Sequence, residues 1–285
     1  MFKLTAPAKI NLALEVLGKR PDGYHEIKSV VQAIDLADEL EFELAGDLDI
    51  TADLPGWEAK KSLVSRAAQL LKPYCRGVCG ASIRVKKRIP LISGLGGDSS
   101  DGAAALKGLN RLWGLGLGEG SLMEMSAALG SDVPFFFCGG TALIEGRGEL
   151  VSPLGALPQT WVVLLIPPVT AESGKTARLY GSLKPNDFSD GSRTEELAET
   201  LIAGRPAEPS LLGNAFEQAT GALWPKIEEY RWRFLMAGAP RVHLSGAGPA
   251  LFSLHRDRAA AEKIYRKLKE DKLATYLART IGYAG

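Results

Sequence analysis

The sequence predicts an α+β protein of two domains. Three observations carry that expectation. Strand-like and helix-like segments alternate without a regular βαβα rhythm, which argues against a doubly wound parallel sheet. The 285 residues, 46% of them hydrophobic, exceed one ordinary domain and supply enough apolar material for two cores. The stretch PLGALPQTW, residues 153–161, holds two prolines and reads as a connection. It sets a boundary near Leu157, with an N-terminal domain over 1–157 and a C-terminal domain over 158–285.

Each element follows from its pattern. Ile10, Leu12, Leu14 and Val16 share one face of a strand, and Lys9, Asn11, Ala13 and Glu15 share the other. The turn residues RPDGY follow, then a second strand, HEIKSVVQAI. ELEFEL alternates cleanly and gives another. SLVSRAAQLLK is a short amphipathic helix that stops at Pro73. ASIRVKKRI is a strand that leads into a glycine-rich loop. Ala104, Ala105, Leu109 and Leu112 form the apolar stripe of the helix after it. GSLMEMSAALG is a further helix ending at Gly130, and PFFFCGGTALIEG reads as strand. Beyond the connection, WVVLLIPP is a buried strand and KPNDFSDGSRT a polar loop. VHLSGAGPALFSL reads as strand, turn, strand, and DRAAAEKIYRKLKE as a helix with an exposed face.

Composition excludes several classes. The net charge of +1 gives no bulk attraction to nucleic acid or to an anionic membrane, and the run Lys86-Lys87-Arg88 is short. No stretch of about 18 apolar residues appears, and the N-terminal sequence lacks the pattern of a secretory signal. These point to a cytoplasmic protein with no obligate protein partner evident. Cys75, Cys79 and Cys138 are odd in number and irregularly spaced, which predicts ordinary reduced thiols; His25, His243 and His255 lie too far away in sequence to complete a zinc site.

The chemistry concentrates in PLISGLGGDSSDGAAAL, residues 90–106. Glycine is costly in an interior, so Gly94, Gly96, Gly97 and Gly102, all within six residues of Ser99 and Ser100, mean that backbone approaches something closely. A glycine loop opening a helix is an anion site, because free N–H groups and the positive end of the helix dipole point to one spot. The helix is expected to begin near Ser99 or Ser100, whose hydroxyls would cap it or meet a phosphate or a metal. The loop is not GxGxxG, for it lacks the third glycine. Gly174-Lys175-Thr176 has the ending of a Walker loop, but Val169 occupies the position of the required first glycine.

Two further segments accompany the loop in order: PAKINLALEVLGKRPDGYHEI, residues 7–27, and LSGAGPALF, residues 244–252. Together the three resemble the signature segments of the GHMP kinase superfamily, and LGSDVPFFF, residues 129–137, resembles its catalytic aspartate segment. The resemblance spans almost the whole chain. It implies a two-domain GHMP kinase fold with the active site in the cleft between domains, ATP as phosphoryl donor, and Mg2+ accompanying the nucleotide with its ligands unassigned. It implies that ATP lies on Pro90, Leu91, Ile92, Ser93, Gly94, Leu95, Gly96, Gly97, Asp98, Ser99 and Ser100. Asp132 would be the general base and Lys9 would hold it ionised and help neutralise phosphate charge. DGYH, residues 22–25, points to the branch whose small-molecule substrate is a cytidine diphosphate ester of methylerythritol, phosphorylated on its 2-hydroxyl. Tyr24 would stack on the cytosine, His25 would meet its edge, and Tyr180 would supply a second stacking ring. Asn11, Thr176, Gly246 and Gly248 complete the implied substrate site.

One departure stands out. The family loop usually reads GLGGGSS, and here Asp98 replaces the third glycine. Its carboxylate would cap the helix and point away, help hold magnesium, or weaken ATP binding; capping suits the loop best. Another alcohol substrate, or a non-catalytic ligand-binding relative, are the competing readings.

Overall fold

In a computed structural model that describes residues 1–155, 157–170 and 174–282, the chain packs into two compact units. The first comprises Met1–Ala8, Leu36–Leu91 and Gly96–Cys138; the second comprises Lys9–Asp35, Ile92–Leu95 and the chain from Gly139 onward. Each is discontinuous because two long strands, β1 (Phe2–Lys19) and β2 (His25–Ala45), contribute to both. Ala156 of the expected connection and residues 171–173 lie outside the described residues.

In the first unit the later half of β2 pairs antiparallel with β4 (Gly80–Lys86), from Glu39↔Lys86 to Ala45↔Gly80, and β3 (Leu48–Ala52) runs parallel to β4. A parallel pair needs a crossover, and α1 (Leu63–Leu71) lies in it. Ser62 caps α1 by accepting from the Ser65 N–H, and the 3₁₀ turn at Lys72–Tyr74 takes Pro73 at the predicted stop. α2 (Gly97–Leu112) packs along α1. A side chain on Gly108 of α2 would strike the Phe42 ring, so glycine sets how closely helix and sheet approach. α3 (Glu119–Ser126) and α4 (Phe135–Cys138) follow.

Two expectations change here. PFFFCGGTALIEG is not one strand: Gly139 and Gly140 take φ of +61° and +60°, which no extended strand can contain, and they separate α4 from β5 (Thr141–Gly146). Nor are all three cysteines thiols. Cys75 and Cys79 form a disulfide across the turn after α1, with Cα atoms 5.9 Å apart, while Cys138 is free. The odd count argued against a disulfide framework, but a turn alone brings two cysteines four apart into bonding range.

In the second unit the earlier half of β2 pairs antiparallel with β5, from Ile27↔Gly146 to Gln32↔Thr141, and β6 (Leu150–Pro153) extends that side. β1 neighbours β2 on the other side, and β8 (Gly213–Asn214) runs parallel to β1 at Ala13 and Leu14. A second, antiparallel sheet has the order β11-β7-β10-β9, built from β7 (Trp161–Ile166), β9 (His243–Leu244), β10 (Leu251–His255) and β11 (Ala274–Arg279). The helices of this unit are α5 (Lys175–Ser182), α6 (Ser192–Ile202), α7 (Glu217–Leu223), α8 (Ile227–Met236) and α9 (Arg258–Glu270). Val163, Leu165 and Leu251 from the sheet pack with Phe234 of α8 and with Ile264 and Leu268 of α9. Burying each such side chain favours the fold by roughly 1.5–3 kcal/mol. No helix among the described residues is long and apolar enough to cross a membrane.

β1 is buried on both faces over residues 9–16. Its apolar residues are buried as expected, but so are Lys9, Asn11 and Glu15 on the opposite face. Burial of polar groups requires partners. Glu15 finds one at the first turn of α6, where its Oε2 accepts from the Thr194 N–H at 2.7 Å and the helix dipole favours its charge.

Candidate active site

Lys9 and Asn11 stand two apart on β1 and therefore point the same way. Lys9 Nζ donates to Asn11 Oδ1 at 2.6 Å, Asn11 Nδ2 donates to Ser29 Oγ at 2.9 Å, and Ser29 Oγ donates to the Ala13 carbonyl at 2.6 Å. This buried relay fixes the orientation of ammonium and amide. Gly246 lies over them. A Cβ there would fall 3.1 Å from both Asn11 Oδ1 and Lys9 Nζ, and the residue has φ of +51°. Glycine thus leaves the backbone room to approach the ammonium.

Two segments meet beside Lys9. Residues 92–95 are held by Lys9 N–H on Leu95 O at 2.9 Å, Ala250 N–H on Ser93 O at 2.9 Å and Ser245 Oγ on Gly94 O at 3.1 Å. Residues 244–248 are held by Asn214, whose Nδ2 donates to Leu244 O at 3.0 Å and Gly246 O at 2.8 Å. Gly94, at φ +90°, packs against the Ser245 carbonyl with no space for a side chain. Lys175, the first residue of α5, ties the segments together. Its Nζ donates to Ile92 O at 2.7 Å and to Ala247 O at 3.3 Å. Lys175 is 5% exposed and its ammonium lies 5.6 Å from the Trp224 ring centroid. Burial, and then the charge of Lys9, push its pKa down to about 7. Two lysines in one buried place make a field that suits an anion.

A separate aromatic group follows the RPDGY turn. Asp22 Oδ1 accepts from the Tyr24 N–H at 3.1 Å and shapes that turn. The His25 ring stacks on Tyr180, with centroids 4.9 Å apart and planes inclined by 21°. Phe188 meets His25 edge-on at 6.0 Å, and Phe216 meets Tyr180 edge-on at 4.8 Å. Burial and then the Lys19 charge hold the His25 imidazole below its usual pKa. It is therefore neutral at pH 7, with one nitrogen to donate and one to accept. Tyr24 is 52% exposed, and the Arg147 guanidinium sits 5.0 Å from its ring centroid.

In the other unit, α2 begins earlier than the serines suggested. Gly96, at φ +73°, is its N-cap and the helix starts at Gly97, which puts Ser99 and Ser100 inside the first turn. Ser100 Oγ is buried with no hydrogen-bond partner. Although Asp98 as a residue is exposed, its carboxyl lies against the start of α1 and accepts from the Leu63 N–H. Desolvation raises its pKa and that hydrogen bond works against the rise. Asp98 thus caps a neighbouring helix rather than its own. The approach to the loop is braced by a buried triad. Lys87 Nζ sits 2.5 Å from Asp38 Oδ2 and 2.7 Å from Asp101 Oδ2, while Asp38 Oδ1 accepts from the N–H groups of Arg88 and Ile89. Desolvation, opposed by Lys87 and aided by Asp38, pushes the Asp101 carboxyl up to about 8. Asp132 is exposed in the turn that precedes α4.

The GHMP kinases N terminal domain matches residues 62–140 and the GHMP kinases C terminal domain matches residues 197–273. A 4-diphosphocytidyl-2-C-methyl-D-erythritol kinase of Dehalococcoides mccartyi is 49% identical over 282 residues, covering 99% of both chains. The chain belongs to the GHMP kinase family. A kinase of the same description from Pelotomaculum thermopropionicum is 42% identical over 95% of this chain and 96% of its own. A crystal structure of 4-(cytidine 5'-diphospho)-2C-methyl-D-erythritol kinase superposes with a TM-score of 0.83 at 32% identity, over 99% of this chain and all of that one.

In this GHMP kinase the structure brings together Lys9, Asn11, Ile92–Leu95, Gly246 and Gly248, and separately His25 and Tyr180. Thr176 follows Lys175 on α5. Pro90, Leu91, Gly96–Ser100 and Asp132 belong to the other compact unit. The ring that stacks on His25 is Tyr180, not the adjacent Tyr24. Sequence reasoning missed Lys175, Ser29, Asn214 and Ser245. Lys175 had a signal, the Gly-Lys-Thr triplet that was set aside when the Walker spacing failed. Asn214 had a weaker one, a single amide between glycine and apolar residues.

Proposed function

We propose that this GHMP kinase transfers the terminal phosphoryl group of ATP to the 2-hydroxyl of 4-diphosphocytidyl-2-C-methyl-D-erythritol, a step towards isoprenoid precursors. The observation that carries the reading is the 49% identity over 99% of the chain with kinases of that description. The geometry is compatible in kind. Phosphoryl transfer depends mostly on positioning and charge stabilisation. The oriented Lys9, the buried Lys175 and the backbone of residues 92–95 and 244–248 provide positive charge and close-approach surfaces. Lys9 neutralises phosphate charge and Asp132 takes the proton of the attacking hydroxyl. Asn11 and Thr176 hold substrate. The phosphates of ATP lie on residues 90–100, with the helix dipole of α2 behind them. His25, Tyr180 and Tyr24 receive the cytosine, the neutral imidazole reading its edge.

Magnesium belongs with the nucleotide in this reading. The described residues hold no cluster of three or more His, Cys, Asp or Glu side chains able to bind a metal ion. That suits Mg2+, which usually keeps phosphate and water ligands and takes only one or two from protein. We assign Ser100, whose buried Oγ lacks a partner, as the protein oxygen that fits it. When bound, the ion neutralises phosphate charge. The same reading keeps the sequence division into domains 1–157 and 158–285 and a cytoplasmic setting.

A coupled assay of ADP release tests the function. Turnover is expected with ATP, magnesium and the cytidylyl substrate together. Equal turnover of homoserine, mevalonate or galactose would overturn the substrate assignment while leaving the kinase family intact.

A further inference from the structure

A cavity of about 710 Å³ opens on the second unit, away from the residues described above. Leu12 lines it, and Leu12 points to the opposite face of β1 from Asn11, so the strand separates this cavity from the Lys9 site. It exists because β10 outruns its neighbour. β9 pairs only with Leu251 and Phe252, and the chain before β9 contains Pro240, which has no N–H to extend the ladder. Ser253, Leu254 and His255 therefore continue past the end of β9 and form one wall.

The lining has two characters. Leu12, Leu212, Leu254 and several prolines make it mainly apolar. Arg241 and Arg256 are exposed in the lining, and Glu208 is the only carboxylate there among the described residues. The local field is positive: burial, followed by the charges of Arg231 and Arg241, pushes the lining His243 down to about 4. Two polar atoms of the same wall, Ser253 Oγ and His255 Nε2, are buried and have no hydrogen-bond partner. Native proteins rarely leave such atoms unsatisfied. The size falls within the roughly 300–1,000 Å³ of small-molecule sites, which share this pattern of apolar walls and a few polar groups.

We propose that this cavity is a binding site for a small apolar anion, a molecule with an apolar body and one carboxylate, sulfonate or phosphate group. The apolar body lies along Leu12, Leu212 and Leu254. The anionic group lies towards Arg241 and Arg256. This site is additional to the kinase site and its occupancy is read without turnover.

The probe is 8-anilinonaphthalene-1-sulfonate, with uncharged N-phenyl-1-naphthylamine as its neutral counterpart. Titrated into the full chain, the sulfonate is expected to bind saturably, one per chain, with a fluorescence rise. Arg241→Ala with Arg256→Ala changes only exposed side chains, so folding is preserved. The double variant should weaken the sulfonate about 5- to 10-fold, the scale of two exposed charge pairs, and leave the neutral probe unchanged. Leu212→Trp, which fills the cavity, should abolish binding of both. No saturable binding, equal sulfonate affinity in the double variant, or an equal loss for the neutral probe would each overturn the proposal.

Discussion

The imidazole of His25 lies face to face with the ring of Tyr180, 4.9 Å between centroids, although 155 residues separate them in sequence (180 − 25). Tyr180 is in turn held edge-on by Phe216, and His25 by Phe188. Tyr180, expected as the second of two rings stacking on the base, is therefore part of a packed group, and the stack itself orients the histidine.

Tyr180→Ala should free the His25 ring and remove one aromatic face. Base stacking on an aromatic ring is worth roughly 1–3 kcal/mol, so KM for the cytidylyl substrate should rise about 5- to 150-fold. KM for ATP should hold. Tyr180→Phe keeps the face and should stay near wild type in steady-state kinetics. Unchanged substrate KM in the alanine variant would place the cytosine elsewhere.

Lys175→Met removes the ammonium that joins Ile92 O to Ala247 O. KM for ATP should rise by about tenfold or more, the scale of one charge-assisted hydrogen bond. The pH dependence of stability should change as well. With a native pKa near 7 against 10.5 in the unfolded chain, the unfolded state holds the extra proton between those values. This group therefore makes stability rise with pH from about 7 to 10.5. Melting curves at pH 7 and 9 should show that rise in the parent and less of it in the methionine variant.

Asp98→Gly removes the carboxylate that accepts from the Leu63 N–H. Because that carboxylate faces α1, the expected change is a loss of stability of about 0.5–1.5 kcal/mol, the usual net worth of one hydrogen bond. KM for ATP should stay within about twofold. Clearly tighter ATP binding would show instead that the charge acts on the phosphates.

Asp101→Asn tests the triad. Burial pushes the Asp101 carboxyl up to about 8 in the folded chain, from the ordinary 3.8. The folded state holds the extra proton between those values, so this group makes stability fall as pH rises from about 4 to 8. Asparagine cannot titrate. The stability of the variant relative to the parent should therefore improve across that window in denaturant titrations, and a constant difference would show that Asp101 is ionised throughout.

Asp132→Asn should lower kcat by about 10²–10⁴-fold, the usual worth of a placed general base. ATP binding, followed by calorimetry, should persist. An active variant would leave Asp132 as a turn residue.

The sequence alone determined what depends on near neighbours. Alternation over residues 9–16 put Lys9 and Asn11 on one face, and their 2.6 Å hydrogen bond follows from that spacing. The helix stop was legible at Pro73, since it acts within one turn. The helix that follows the glycine loop was legible for the same reason, although its first residue was misplaced by two or three because Gly96 rather than a serine turns the chain. Tertiary structure decided the rest. The partner of Asp98 is on α1, 35 residues earlier (98 − 63). Lys175 reaches Ile92 across 83 residues, and a failed motif spacing concealed it. A lysine at a helix start is ordinarily solvated, and only packing against two carbonyls and the Trp224 ring buries it and shifts its pKa. Local sequence sets which way a side chain points. What that side chain meets is set by burial, because desolvation and hydrogen-bond partners come from segments that only the folded chain brings together.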